Sequence, residues 1–249
     1  ITHDASTRYA RLISGECDVM ANPPKSQYYL LQNNPELQIF QQPGMNIGFL
    51  AFNTAKPPFD NQRVRQALAM AIDRERLVTK VFGELGTKNP SLLPPAMSPY
   101  YDQQLKGHVY DPERAVEILE QEGVLPLSLD LWALPVQRSY NPNGMLMAEL
   151  IQENLRDIGI SARLVSFEWN TYLEKVKAGE HDLALLGWVA DNYDPGHFLN
   201  SLISCDGIRT QTNRTNWCSS ELDNVISNAM NSNNQNTKIT NYHRAQQII

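Results

Sequence analysis

The sequence predicts an α/β domain with a largely covered sheet. Three observations carry this reading. Short alternating or apolar runs recur at Ile47 to Asn53, Leu127 to Trp132, Ile160 to Leu164 and Asp182 to Trp188, each of strand length. Helical patterns of roughly 10 to 15 residues separate the later runs, as parallel-sheet units require. Asx-Pro pairs (Asp111-Pro112, Asn141-Pro142, Asp194-Pro195) open helical patterns, and Gly83, Gly123, Gly159 and Gly179 close them.

The elements follow in chain order. Leu12 to Val19 and Gln27 to Gln32 form a small unit, and Pro43-Gly44-Met45-Asn46 is a candidate boundary before the strand Ile47 to Asn53. Asp60 is predicted to cap a helix whose Val64, Leu68 and Ile72 share one face at four-residue spacing. Asp73 is predicted to cap the next, which ends before Gly83. Asp111-Pro112-Glu113 supplies a cap, a proline at the first helical position and an acid in the first turn, and that helix ends near Gly123. Leu127, Leu129 and Leu131 alternate with Ser128, Asp130 and Trp132, a strand. Asn141-Pro142 is predicted to open a helix through Met147, Ile151 and Leu155, stopped by Gly159. Ile160, Ala162 and Leu164 form the next strand, and a helix around Tyr172 and Val176 stops at Gly179. Asp182 to Trp188 reads as a buried strand, followed by a helix from Asp194-Pro195. Helices near 220–230 and 237–249 finish the chain, joined by the polar link Asn231 to Asn236.

Composition narrows the function. The formal net charge is -6, with 21 Lys and Arg against 27 acids, scattered along the chain. A nucleic-acid partner is not expected, because such binders carry a basic stripe that displaces counterions from phosphates. The densest cationic group, Arg63, Arg65, Arg74 and Arg76, is interleaved with Asp60, Asp73 and Glu75 and reads as a solvated helix face. No apolar run approaches the roughly 18 residues of a membrane span. The chain opens on Ile1-Thr2-His3-Asp4 with no leader and stops at Ile249 inside an apolar helical pattern, so a fragment or a partly observed chain is expected.

Cys205 and Cys218 bracket a polar stretch that buries too little surface to order itself. A disulfide would stabilise it by about 3 kcal/mol on the chain-entropy model; two free thiols are the other reading. Zinc is not expected, since no CxxC spacing exists and no histidine lies between the two. Cys17 is left over, free or paired elsewhere.

No catalytic signature is present: no Gly-x-Ser-x-Gly, no phosphate-cradling glycine loop and no His-Glu-x-x-His. The histidines His3, His108, His181, His197 and His243 are dispersed, and neither metal nor cofactor is expected. Asp191 and Asp194 resemble a paired-carboxylate site, but Asp194 already has a role as a helix cap. In α/β sheets, ligands sit where loops leave the carboxyl ends of strands. Two loops meet that rule, Ala133 to Asn143 with Arg138, and Val189 to Pro195 with Asp191. A zwitterionic ligand such as a short peptide needs one carboxylate for its ammonium and one guanidinium fork for its carboxylate. Trp132, Tyr140, Trp188 and Tyr193, with Asn192 beside them, are candidate walls that would lower the local dielectric around both pairs. Ordinary loop charges are the competing reading.

The chain resembles the periplasmic peptide-binding proteins of ABC transporters, specifically the dipeptide-binding and Sap antimicrobial-peptide-type branch. The resemblance is carried by Gly15 to Val19, Pro43 to Pro58, Val64 to Leu68, Asp130 to Ala133, Pro135 to Asn143, Gly187 to Pro195, and Cys205 and Cys218 with Trp217 before the second. It implies a two-lobed α/β fold that closes on ligand, with residues 1–43 as the tail of the first lobe and 44–249 as most of the second. It further implies a monomeric receptor in the periplasm that captures short peptides, cationic antimicrobial peptides among them, for the membrane permease subunits of an importer, and that is not an enzyme. Asp191 would take the ligand's ammonium and Arg138 its carboxylate. Tyr193 departs from the small residue expected there, which puts a dipeptide preference in question. Haem is the alternative ligand, with Tyr140 or Tyr193 as axial donor; a secreted hydrolase is the remaining reading.

Overall fold

The computed structural model describes Thr2 and residues 4–249; Ile1 and His3 lie outside the described residues. Helices α1 (Ala5–Ile13) and α2 (Lys25–Gln32) precede strand β1 (Asn46–Phe52). Then come α3 (Gln62–Ala71), α4 (Arg74–Val81), α5 (Pro112–Gln121), β2 (Leu127–Trp132), α6 (Gly144–Asp157), β3 (Ile160–Val165), α7 (Trp169–Lys177) and β4 (Leu183–Val189). Helices α8 (Pro195–Ile203), α9 (Cys205–Arg209), α10 (Ser220–Asn231) and α11 (Gln235–Ile248) complete the chain.

The four strands form one sheet in the order β1-β4-β2-β3, with β2 parallel to both neighbours and β1 antiparallel to β4. Leu183 to Leu186 of β4 are all buried, as expected of a strand covered on both faces. The helices from α3 to α7 pack one apolar cluster with the sheet, including Val64, Leu68, Ile151, Leu155 and Tyr172. A second cluster, built on Leu93, Met97, Phe198, Leu202, Leu222, Ile226 and Tyr242, joins α8, α10 and α11 to Ile47 of β1. In α1 and α2 only Leu31 is buried, while Val19 and Phe40 nearby are 81% and 90% exposed.

Local chemistry explains most element ends. Asp73, Asp111 and Asp194 each accept a backbone N–H in the first turn that follows. Gly123, Gly159 and Gly179 take positive φ just past α5, α6 and α7, where a side chain would be strained. Three expectations are corrected. Asn61, not Asp60, caps α3, because its side chain accepts from Arg63 N at 2.9 Å. The helix predicted from Asn141-Pro142 starts two residues later, at Gly144 under an Asn143 cap, because Asn141 is engaged in a tight turn. The arginine group is only partly a solvated face. Arg76 pairs with Glu153 at 2.7 Å and Arg63 with Glu122 at 3.0 Å, while Arg65 donates to the Phe59 and Asp60 carbonyls.

Cys205 and Cys218 form a disulfide with a Cα–Cα distance of 5.0 Å, and Cys17 is free. The disulfide closes the segment as expected, and side-chain hydrogen bonds inside it add to the hold: the Nδ2 of buried Asn213 donates to Ser204 O and Trp217 O, and its Oδ1 accepts from Thr215 N. Asn53, 1% exposed, links this segment to the sheet by donating to Gly179 O and His181 O and accepting from Asn216 Nδ2. The polar link between α10 and α11 shortens to residues 232–234.

Candidate functional site

The site grows from a mismatch in strand length. β2 pairs with β4 only at Leu131–Leu183 and Trp132–Ala184, so β4 continues from Leu185 to Val189 beyond the end of β2. The loop after β2 folds back over that free length. Tyr140 is the contact: a Cβ on Gly187 would meet Tyr140 Cδ2 at 2.1 Å, and one on Gly48 would meet the Tyr140 carbonyl oxygen at 2.3 Å. Gly48 and Gly187 are cross-strand partners. Two facing glycines therefore make a flat seat, and an aromatic ring from another loop occupies it. Burial raises the Tyr140 phenol above its ordinary pKa, and Arg138 beside it opposes the shift.

Arg138 sits on the same loop, two residues before Tyr140. Its N–H and carbonyl bond to Asn141 at 3.0 and 3.1 Å, closing a turn that fixes its backbone. Its guanidinium lies over the Trp169 ring, 4.5 Å from the centroid. Trp169 in turn stacks on Tyr172, whose hydroxyl donates to Leu185 O at 2.8 Å. A chain of contacts from the core thus positions Arg138, and no carboxylate among the described residues pairs with it. Such a cation is placed to receive an anion.

The second loop leaves β4 at Val189. Asp191, Asn192 and Asp194 are exposed, and Tyr193 is 72% exposed. Asn192 Oδ1 accepts from Asp194 N, and Asp194 Oδ1 accepts from Gly196 N and from the Tyr242 hydroxyl. These bonds hold the loop while leaving Asp191 with no ion-pair partner among the described residues. Trp188 is half-buried against the second apolar cluster, directly before this loop. Trp132 is different. It was expected as a wall, but it is 3% exposed, between Phe167, Tyr172 and His181. Because the sheet is covered on both faces here, the last residue of β2 belongs to the core and lies behind the site.

Residues 1–210 match the family described as bacterial extracellular solute-binding proteins, family 5 Middle. The chain belongs to this family. Among family 5 relatives, the dipeptide-binding protein of Escherichia coli is 37% identical over 250 residues, which span 100% of this chain and 46% of that protein. Heme-binding protein A of Haemophilus influenzae is 36% identical, over 100% of this chain and 45% of its own length. The crystal structure of a dipeptide binding protein from Pseudoalteromonas sp. SM9913 in complex with Met-Leu is 38% identical and superposes with a TM-score of 0.89, covering 100% of this chain and 49% of that one. The chain thus spans about half the length of the relatives it matches, and its fold is that of the corresponding half of a family 5 solute-binding protein.

Two contributors escaped the sequence reading. Trp169 carried a signal: it follows β3, the third parallel strand, whose carboxyl end obeys the same rule as the other two. The Gly48–Gly187 seat had none, because it depends on strand register, which neither glycine reveals alone.

Proposed function

We propose that this chain is the major part of the ligand-gripping lobe of an extracytoplasmic receptor, which captures peptides and hands them to the permease of an ABC importer. Residues 44–249 would form that lobe, and residues 1–43 would lead into it from the other. Asp191 would take the peptide's ammonium and Arg138 its carboxylate, with Tyr140, Trp188, Tyr193 and Asn192 around them. The observation that carries the reading is that two opposite charges without ion-pair partners among the described residues sit on loops at the carboxyl ends of the adjacent parallel strands β2 and β4, the first loop seated on β4 through Tyr140. A relative crystallised with Met-Leu supports peptide as the ligand class. The reading involves binding without turnover, in keeping with relatives named as binding proteins, and places the receptor in the periplasm.

The test is calorimetry on the full-length protein. Asp191→Asn should weaken binding of a peptide with a free N-terminus by about 2 to 4 kcal/mol, because an enclosed ammonium loses its counter-charge. An unchanged dissociation constant would reject Asp191 as the anchor. Haem is the second reading, favoured by the Heme-binding protein A relative. Tyr193, exposed at the site, would be its axial donor. A Soret band that appears on hemin addition and disappears in Tyr193→Phe would support haem over peptide.

A further inference from the structure

A cavity of about 260 Å³ opens beside the Asp191 loop, lined by Tyr100, Asn192, Tyr193, Asp194, Pro195, Lys238 and Tyr242. It is smaller than the roughly 300 Å³ at which whole-ligand pockets begin, so its natural occupant is one side chain. Its wall starts at Asn192, one Cα step of about 3.8 Å from Asp191. If Asp191 holds the ligand's ammonium, as proposed above, the cavity adjoins the first residue of the ligand.

Most polar groups in the wall are already committed. Asp194 caps α8, accepting from Gly196 N at 2.9 Å, and receives the Tyr242 hydroxyl at 3.0 Å. Burial, and then the Asp194 carboxylate, hold the Tyr242 phenol protonated well above its ordinary range. The positive end of α8 further offsets the Asp194 charge. Tyr100 exchanges hydrogen bonds with Gln235. Tyr100 and Tyr242 meet edge to face at 5.4 Å, a rigid aromatic corner. Lys238 is left. It is half-buried on α11, and its ammonium has neither an ion pair nor a hydrogen bond among the described residues.

We infer that this cavity is a subsite for the first side chain of the ligand and that Lys238 gives it a preference for an acidic one. The aromatic corner and the Tyr193 ring cover the side chain's methylenes, and the ammonium meets its carboxylate. The inference rests on the peptide reading, and the experiment separates the two. Calorimetry on the full-length protein compares Glu-Leu with its isostere Gln-Leu. Glu-Leu should bind about tenfold tighter, as one partly desolvated charge pair would give. Lys238→Met should reduce that ratio to within about twofold, and Lys238→Arg should restore it. Equal binding of the two peptides by the unmodified protein, or a preference that survives in Lys238→Met, would overturn the subsite while leaving the receptor reading intact. Failure of both peptides to bind would overturn both.

Discussion

Gly187→Ala tests the seat on which the site is built. The new Cβ would lie 2.1 Å from Tyr140 Cδ2, 2.4 Å from Tyr140 Cγ and 2.6 Å from Ile47 O. No methyl fits at those distances, so the ring must leave. Tyr140 is mostly buried. Exposing about 100 Å² of its surface, at about 25 cal/mol per Å², costs about 2.5 kcal/mol. The Ile47 carbonyl remains and adds about 1 kcal/mol of strain. Urea unfolding should therefore show a loss of about 3 to 4 kcal/mol. In a Tyr140→Ala background the same substitution should cost only the Ile47 part, about 1 kcal/mol, so the two changes couple by about 2.5 kcal/mol. Dipeptide affinity should also fall, by about tenfold, because Arg138 lies on the displaced loop. Effects that add to within about 0.5 kcal/mol would refute the seat.

Arg138→Ala should weaken a dipeptide and leave a long or amidated peptide almost untouched, because only a short ligand's carboxylate reaches it; equal losses would mean a structural role. Trp169→Ala should reproduce part of that loss, about 0.5 to 1 kcal/mol, through the cation–π support it removes. Buried His181 donates from Nε2 to Arg214 O, 3.0 Å away, and burial lowers its pKa from 6.5 to about 4. The unfolded ring takes up a proton that the folded one refuses, so this contribution is complete above pH 6.5 and is lost as pH falls toward 4. Unfolding at pH 7 and pH 4.5 should show a drop of about 2 kcal/mol that His181→Gln largely removes, and parallel profiles would reject it.

The predictable parts of the fold were those written in adjacent residues. Asp111-Pro112 and Asp194-Pro195 carry both the cap and the first-turn proline, so their helices start where expected. Asp60-Asn61 offers two equivalent caps, and which one reaches Arg63 N depends on the turn that Pro58 and Phe59 make before it. Asn141-Pro142 has the sequence of a helix start, but the bridge between Arg138 and Asn141 claims Asn141 first. At the site, Arg138 and Asp191 stood out because charges on strand-end loops are few. What supports them could not be read in advance: Trp169 lies 31 residues beyond Arg138, and Gly48 lies 92 before Tyr140. Trp132 misled for the opposite reason, since an aromatic at a strand end is a wall or a core residue according to what covers the sheet.

The pairing of β1 with β4 dictates when this lobe can form. Asn46 pairs with Val189 and Phe52 with Leu183, so the partners are 143 and 131 positions apart. A ribosome adding 5 to 20 residues per second leaves β1 without its partner for roughly 7 to 29 seconds. During that time Ile47, Phe49, Leu50 and Phe52 form an open apolar edge, able to pair with another nascent chain. The glycine seat and the loop that occupies it are also undefined until β4 emerges. The order of synthesis thus holds the chain back from its folded form until the last strand of the sheet has been made, an interval in which a holdase can engage it unfolded.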